Sequence, residues 1–435
     1  MAYPDDIIKE SLQEFKMQKS KNRRKKVERL LNYYTNTSTW QYIEEYFDSK
    51  SFQEVPIYNI NLTRKFIDKK SRVYTLPPTR KINGEENKKY NSLTKYKNVR
   101  FKHIERMTNL LGSPAVRIAY EDKGDEFCFE YYTINSYDAV FGDNPYQPIG
   151  IFYPILMPTE DVGYSEPCNF AYWDNSVYMV ISESGTILEE HSNPYGVLPF
   201  IFPRDIPQID DFYAEGATDV VSVNEHSNIL MTELMLGLRF QMFGQPFASG
   251  VYDDKPIERM GSDTIINLPE GGTFGIETPG GDPKKVMEIL QFKIEMLALS
   301  RHMNVAFESS QDRPSSGLAL RIKDFEHIED YKDDLENWRM LEQDLFKVER
   351  KIALSNGINL APNFAIDFTE PEYPRGVNEQ IAKDNWDLEK GLVTLEEIMV
   401  RDRTDMTEEM AKKIIEKNLG NSQEEPSNSS EEDLY

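Results

Sequence analysis

The stretch ESSQDRPSSGLALRIKDFEHIEDYKDDLENWRMLEQDLFKVERKIALSNG (residues 308–357) joins a polar loop to a long run without a proline or an internal glycine. Apolar side chains recur in this run every three or four residues, which is the spacing of one buried stripe on an α-helix. The stripe comprises Leu318, Ile322, Phe325, Ile328, Tyr331, Leu335, Trp338, Leu341, Leu345, Val348 and Ile352. A helix over 317–357 would be roughly 60 Å long at about 1.5 Å per residue. We therefore expect it to lie across several neighbouring elements or across subunits.

The chain around this helix is strongly acidic, with 435 residues and a formal net charge of −24. Proteins whose main task is to grip DNA are usually basic, because neutralising phosphates drives their binding. Tight general DNA binding is therefore disfavoured, whereas an acidic surface would keep DNA from adhering.

Cysteine usage and hydropathy predict a soluble protein made in a cytoplasm. Cys128 and Cys168 are the two cysteines, too few for a disulfide framework. The charged N-terminus MAYPDDIIKESLQEF is unlike a signal peptide. The longest apolar patch, ILMTELMLGLRFQMF (229–243), is too short and too polar to span a bilayer.

In the N-terminal region the sequence predicts a helix over 5–34, and the middle of this helix (16–29) is densely basic. Two interpretations stay open: a solvated helix face, or a contact with an acidic partner or nucleic acid. The residues that would make such a contact are Arg23, Arg24, Lys25 and Lys26. A second, buried helix is predicted within 58–78, ended by Pro77 and Pro78.

Residues 115–202 change to alternating patterns typical of antiparallel strands. AVRIAYEDKGDEFCFEYYTI (115–134) alternates around the turn signal DKGD, which predicts a β-hairpin. Helical spacing returns over 210–243 and 286–304, while 245–285 is rich in glycine and proline. We expect a small β-rich module there, projecting from the main body between two helices.

In the C-terminal part the sequence predicts a strand within 360–374 and helices over 376–420. Phe364, Ile366 and Phe368 alternate in the strand, and Thr394 with Glu397 forms a capping box. The acidic tail 421–435 has the composition of a disordered segment.

Motifs of catalysis are absent from the sequence, which lacks GxxxxGK[ST], GxSxG, HExxH and CxxC. The five histidines are far apart and lack metal-ligand spacing. Carboxylate pairs such as Asp253–Asp254 and Asp333–Asp334 are expected by chance in so acidic a chain. We predict no catalytic residue, no metal site and no cofactor. An acidic-site, metal-dependent DNA-processing enzyme and a non-viral scaffolding protein with a long interaction helix remain the alternatives.

Six segments in order carry a resemblance to a known family. They are RLLNYYTNT (29–37), NINLTRKFIDKKSRVYTLPP (59–78), NPYGVLPFIFPRD (193–205), SSGLALRIKDFE (315–326), NFAIDFTEPEYP (363–374) and EKGLVTLEEIM (389–399). With these segments the chain resembles a bacteriophage portal protein, the head-to-tail connector of tailed phages. It departs from the family at Thr75 and Leu76, which stand where a glycine is common. Each motif alone is weak, and their order along most of the chain carries the resemblance.

The resemblance implies an α+β portal fold that forms a ring around a long central tunnel helix. Its regions would be a wing (1–208), a stem helix (209–243), a clip (244–285), a second stem helix (286–303), a tunnel loop (304–316), the tunnel helix (317–357), a wing return strand (358–375), crown helices (376–420) and a disordered acidic tail (421–435). The ring, of roughly twelve subunits, would close without free ends. It would sit at one capsid vertex of the virion after assembly in the host bacterial cytoplasm.

The resemblance also implies sites and partners. The DNA-facing tunnel loop would present Glu308, Ser309, Ser310, Gln311, Asp312, Arg313, Ser315 and Ser316. The clip would present Tyr252, Asp253, Asp254, Lys255, Glu258 and Arg259 to the packaging motor and to adaptor proteins. Expected partners are further copies of the chain, the terminase large subunit, major capsid and scaffolding proteins, adaptor or tail proteins, and double-stranded DNA held weakly. No membrane partner is expected.

Overall fold

The structure, a computed structural model, describes most of the chain. The described residues are 4–47, 57–124, 126–155, 158–159, 163–164, 169–205, 211–243, 245–249, 271–277, 281–303, 325–368, 377–402 and 407–421. The chain divides into two compact units: Met1–Phe307 with Glu326–Glu370, and Glu308–Phe325 with Pro371–Tyr435.

The N-terminal basic segment forms two helices instead of the single predicted one. Helix α1 (Pro4–Lys16) and helix α2 (Gln18–Thr35) are separated at Met17, whose backbone is extended (φ −63°, ψ 149°). The reason lies in packing. Leu12 of α1 joins a cluster of sheet residues, whereas Leu30 of α2 joins a different, helical cluster. One straight helix cannot reach both clusters, so the prediction of a continuous helix over 5–34 is wrong at its middle.

Helix α3 (Thr39–Glu44) is followed by helix α4 (Leu62–Lys70), which is shorter than the sequence predicts. The Asn61 side chain caps it by accepting from the Arg64 N–H at 2.8 Å. The helix ends at Lys70, well before the prolines, because the Glu105 carboxylate accepts the backbone N–H groups of Val73 and Tyr74 at 2.8 and 3.1 Å. These two N–H groups therefore donate to a side-chain carboxylate from a distant helix. They do not donate to the backbone carbonyl groups that would have extended α4.

The described β-strands pair antiparallel, and the mixture of helices and strands is compatible with the predicted α+β class. Strand β1 (Thr79–Ile82) precedes helices α5 (Lys88–Leu93) and α6 (Lys97–Leu111). The predicted hairpin is confirmed as β2 (Ala115–Asp122) and β3 (Phe127–Ile134), with Ala115 opposite Ile134. The remaining strands of this region are β4 (Asp138–Phe141), β5 (Pro148–Ile155), β6 (Pro158–Thr159), β7 (Gly163–Tyr164), β8 (Asn169–Asp174), β9 (Val177–Ser182), β10 (Ile187–Ser192) and β11 (Phe200–Ile201). They form a five-stranded sheet in the order β10-β9-β8-β5-β4 and a three-stranded sheet in the order β11-β2-β3.

Two helices flank a β-ribbon in the middle of the chain. Helix α7 (Thr218–Phe243) begins eight residues later than predicted, because Gly216 has φ +67° and packs against the backbone of Leu110 and Leu111. Strands β12 (Gln245–Ser249) and β13 (Thr273–Glu277) pair antiparallel, as expected for a β-rich module. Helix α8 (Pro283–Ser300) follows, capped by Asp282, which accepts from the Lys284 N–H at 3.1 Å.

The long helix is confirmed over its described part, α9 (Phe325–Ser355). Its predicted first turns, 317–324, lie outside the described residues. After α9, strand β14 (Phe364–Asp367) pairs with β1, so that Thr79 lies opposite Asp367. Ile366 and Phe368 are buried on the inner side, as their alternation predicts.

The second unit contains helices α10 (Val377–Glu389), α11 (Leu395–Asp402) and α12 (Glu408–Asn421). The predicted capping box opens α11. The Thr394 N–H donates to Glu397 Oε2 at 2.9 Å, and the Glu397 N–H donates to Thr394 Oγ1 at 3.3 Å.

Candidate functional site

Two of the three groups of predicted site residues lie outside the described part of the chain. These are the tunnel-loop residues within 308–316 and the clip residues within 252–259. Their roles stay predictions.

The third group, on α2, lies among the described residues and mostly makes contacts within the chain. Arg23 and Arg24 approach the buried carboxylate of Asp138, Arg24 at 3.7 Å. Lys26 pairs with a glutamate of a neighbouring segment, while Lys25 is exposed. Helix α2 therefore combines a structural role with an exposed basic edge, and its predicted contact with a partner stays a prediction.

Helix α8 carries apolar side chains on two faces. One face is buried against α7 and the N-terminal helices through Leu290, Ile294, Leu297 and Ala298. The other face presents four large apolar side chains that are between 47% and 62% exposed: Ile289, Phe292, Met296 and Leu299. Their spacing of three or four residues places them on one line, called here the α8 stripe.

Elements joined to α8 in sequence also expose apolar groups. Met235 on α7 and Phe274 and Ile276 on β13 are each more than one-third exposed. Apolar surface arranged in this way marks protein–protein contact more often than single scattered residues do. The α8 stripe is therefore the best candidate assembly surface among the described residues.

A network of buried charges anchors α9. Lys97 is completely buried, and its Nζ lies 2.8 Å from Glu342 Oε2 and 3.0 Å from Glu349 Oε1. Arg80 approaches Glu342 Oε1 from the other side at 2.5 Å. Although burial opposes it, the charges of Arg80 and Lys97 lower the pKa of Glu342 to about 2. The two glutamates and two cations balance each other inside the unit.

Tyrosine hydroxyls complete this network. Tyr74 donates to Glu342 at 3.0 Å, and Tyr90 and Tyr131 donate to Glu349, Tyr90 at 2.7 Å. Buried ion pairs are tolerated when further hydrogen bonds satisfy the charges in this way. Sliding α9 along its axis would separate these groups, so the network holds the helix in one register.

The predicted buried stripe of this helix did not include Glu342 or Glu349. One line of buried residues on α9 follows a heptad pattern: Tyr331, Leu335, Trp338, Glu342, Leu345, Glu349 and Ile352. The predicted stripe used Leu341 and Val348, which are only partly buried. A signal existed, because a strict alternation of four- and three-residue steps places a glutamate at 342 and at 349.

The candidate carboxylate pair on α9 does not converge on one point. Asp334 lies 3.2 Å from the Lys70 ammonium, and burial raises the pKa of Asp334 to about 6 against the opposing charge of Lys70. Asp333 is exposed on a different side of the helix. Over the described ranges, no group of three or more histidine, cysteine or acidic side chains is arranged to hold a metal ion. No helix in the same ranges is long and apolar enough to cross a membrane.

Comparisons with known proteins find similarity among solved structures. No family model matches the chain, and no curated protein matches it. Among solved structures, the chain is similar to one from the virion of a native gene transfer agent (GTA) particle, at 10% sequence identity and a TM-score of 0.35. The match covers 75% of this chain and 83% of that chain.

Proposed function

We propose that this chain is a phage portal protein. Copies of it would form a ring at one capsid vertex, through which the genome is packaged and ejected. The ring would dock the terminase motor during packaging and adaptor proteins later. The ordered segments of sequence support this proposal, and the structural observation that carries it is the α8 stripe.

A closed ring requires a heterologous interface, in which one surface of each subunit meets a different surface of the next. The α8 stripe suits one side of such an interface. Full burial of a large apolar side chain stabilises by about 1.5–3 kcal/mol, so four half-exposed side chains would contribute about 3–6 kcal/mol. Association costs about 4–15 kcal/mol. The stripe alone would not hold a ring together, so the proposal requires additional contacts along the subunit.

The long helix and the acidic composition suit a conduit. A ring of subunits that each carry −24 would repel the phosphates of DNA and let the duplex slide. Local cations would add only weak contacts that salt screens. No catalytic group is needed for this role.

Removing apolar surface from the stripe tests the assembly role. We expect the purified wild-type protein to form rings in negative-stain electron micrographs and a matching oligomer by mass photometry. The double variant Phe292→Ser, Met296→Ser should shift this population to smaller species, because both side chains are exposed in the isolated subunit.

The matched control is the double variant Lys293→Ser, Glu295→Ser, which introduces serine at two exposed polar positions of the same helix. It should assemble like the wild type. Rings of the Phe292, Met296 variant at wild-type yield would remove the stripe from the interface. A wild-type protein that stays monomeric at every protein and salt concentration would overturn the proposed function itself.

A further inference from the structure

A cavity of about 240 Å³ lies between α2, the turn joining β3 to β4, and the segment 211–215. Four cationic side chains of α2 line it: Lys19, Arg23, Arg24 and Lys26. The side chains of Arg23, Arg24 and Lys26 are all less than one-third exposed. A pocket with this much partly desolvated positive charge favours an anionic ligand.

The part of α2 that lines the cavity next to Asp138 has more positive than negative charge. Arg23 and Arg24 share a single carboxylate, that of Asp138, which is almost completely buried. Burial and the neighbouring charge of Arg23 lower the pKa of Arg24 to about 10, so it remains protonated at neutral pH. One guanidinium charge therefore lacks a carboxylate of its own.

The rim of the cavity already holds carboxylates. Asp211 lies 3.3 Å from the Lys19 ammonium, and Glu215 pairs with Lys26. Both acids are more than half exposed, so these ion pairs are weak and can be exchanged. Lys19 and Lys26 of α2 therefore already lie where each can bind a carboxylate.

Two polar atoms of the β3–β4 turn are buried in the wall without a partner. Asn135 Oδ1 and Ser136 Oγ have no hydrogen-bond partner among the described residues. A buried acceptor without a donor costs free energy, so a ligand that supplies an N–H group would relieve it. Both residues line the cavity, so an N–H donor beside the anion suits this wall.

We propose that this cavity receives an acidic side chain, together with a backbone N–H group beside it, from a peptide segment of a partner protein. The carboxylate would accept from the guanidinium and ammonium groups of α2. The peptide N–H would donate to Asn135 Oδ1, and Ser136 Oγ would donate to the carboxylate.

Size and hydrogen-bonding capacity favour a peptide over DNA. An engineered cavity of about 150 Å³ holds a benzene molecule, so this larger one has room for a side chain with adjoining backbone. The phosphodiester oxygens of DNA only accept hydrogen bonds and would leave Asn135 Oδ1 without a donor.

Fluorescence anisotropy with a labelled, end-blocked peptide Gly-Asp-Glu-Asp-Glu-Gly tests the proposal on the full chain. We expect saturable binding that weakens with salt, and at least tenfold weaker binding of the same peptide with amides in place of the acids. Lys26→Gln and Asn135→Asp should each weaken binding by about tenfold. The first removes a hydrogen bond to the peptide carboxylate, and the second places a like charge beside that carboxylate.

Lys25→Gln is the matched control, because it removes the same charge from an exposed position of the same helix that does not line the cavity. It should change affinity less than twofold. Equal weakening by Lys25→Gln, or displacement of the peptide by inorganic phosphate or a short DNA duplex at the same concentration, would overturn the proposal. Absence of saturable binding would do so too. Melting temperatures of all variants separate lost binding from lost folding, and the assay does not depend on ring assembly.

Discussion

Replacing Lys97 by methionine tests whether the buried charges hold α9 in place. Methionine keeps an unbranched, flexible side chain and removes the ammonium that lies 2.8 Å from Glu342 and 3.0 Å from Glu349. Glu342 would keep Arg80, whereas Glu349 would keep only tyrosine hydroxyls. Glu349 would then be a completely buried carboxylate without a counter-charge.

Removing one partner of a buried ion pair costs about 3–5 kcal/mol. With roughly 2–4 °C of melting temperature per kcal/mol for a large unit, Lys97→Met should melt about 6–20 °C below the wild type. Adding Glu349→Gln should recover part of this loss, because the unpaired charge disappears.

Thermal unfolding followed by circular dichroism measures the effect, and tryptophan fluorescence adds a second probe, to which Trp338, packed on Tyr74, contributes. Lys95→Met is the control, since it removes the same charge at an exposed position and should change stability by less than about 0.5 kcal/mol. Two results would show that the network does not anchor the helix. One is a melting temperature of Lys97→Met within about 2 °C of that of Lys95→Met. The other is a double variant Lys97→Met, Glu349→Gln whose loss of stability equals the sum of the two single losses.

Two further predictions concern single positions. Burial raises the pKa of Glu105 to about 7, so its stabilising effect is complete below about pH 4.5 and is lost as the pH rises through 7. Glu105→Gln should therefore flatten the fall in melting temperature between pH 5 and 8, and an unchanged slope would contradict that pKa. At Gly216, where φ is +67°, an added Cβ would lie 2.5 Å from the Leu110 carbonyl oxygen. Gly216→Ala should cost more than 2 kcal/mol by thermal unfolding, whereas Gly357→Ala (φ +76°, open space) should cost only about 1 kcal/mol; similar losses would rule out the clash.

Local pattern was enough to predict several elements of this chain. The hairpin of β2 and β3, the described part of α9 and the capping box at Thr394 appear where the sequence places them. Each depends on residues a few positions apart, through the two-residue period of strands, the helical period or a cap. Such signals are contained in the stretch that they describe.

The sequence also identified the basic residues of α2 but not what surrounds them. Asp138, Asn135 and Ser136 are a hundred or more positions away from that helix, and no pattern in α2 points to them. The counter-charge and the unpartnered acceptor that define the cavity are therefore features of tertiary structure alone.

The long helix shows the same division most clearly. Its sequence determined that an amphipathic rod would form, because apolar groups recur at the helical period. Only the tertiary structure decided how the helix is rotated about its own axis. In that orientation Glu342 and Glu349 are buried, while Leu341 and Val348 are only partly buried. The physical reason is that Arg80 and Lys97, some 250 residues earlier in the chain, supply the charges without which two buried carboxylates would be unstable.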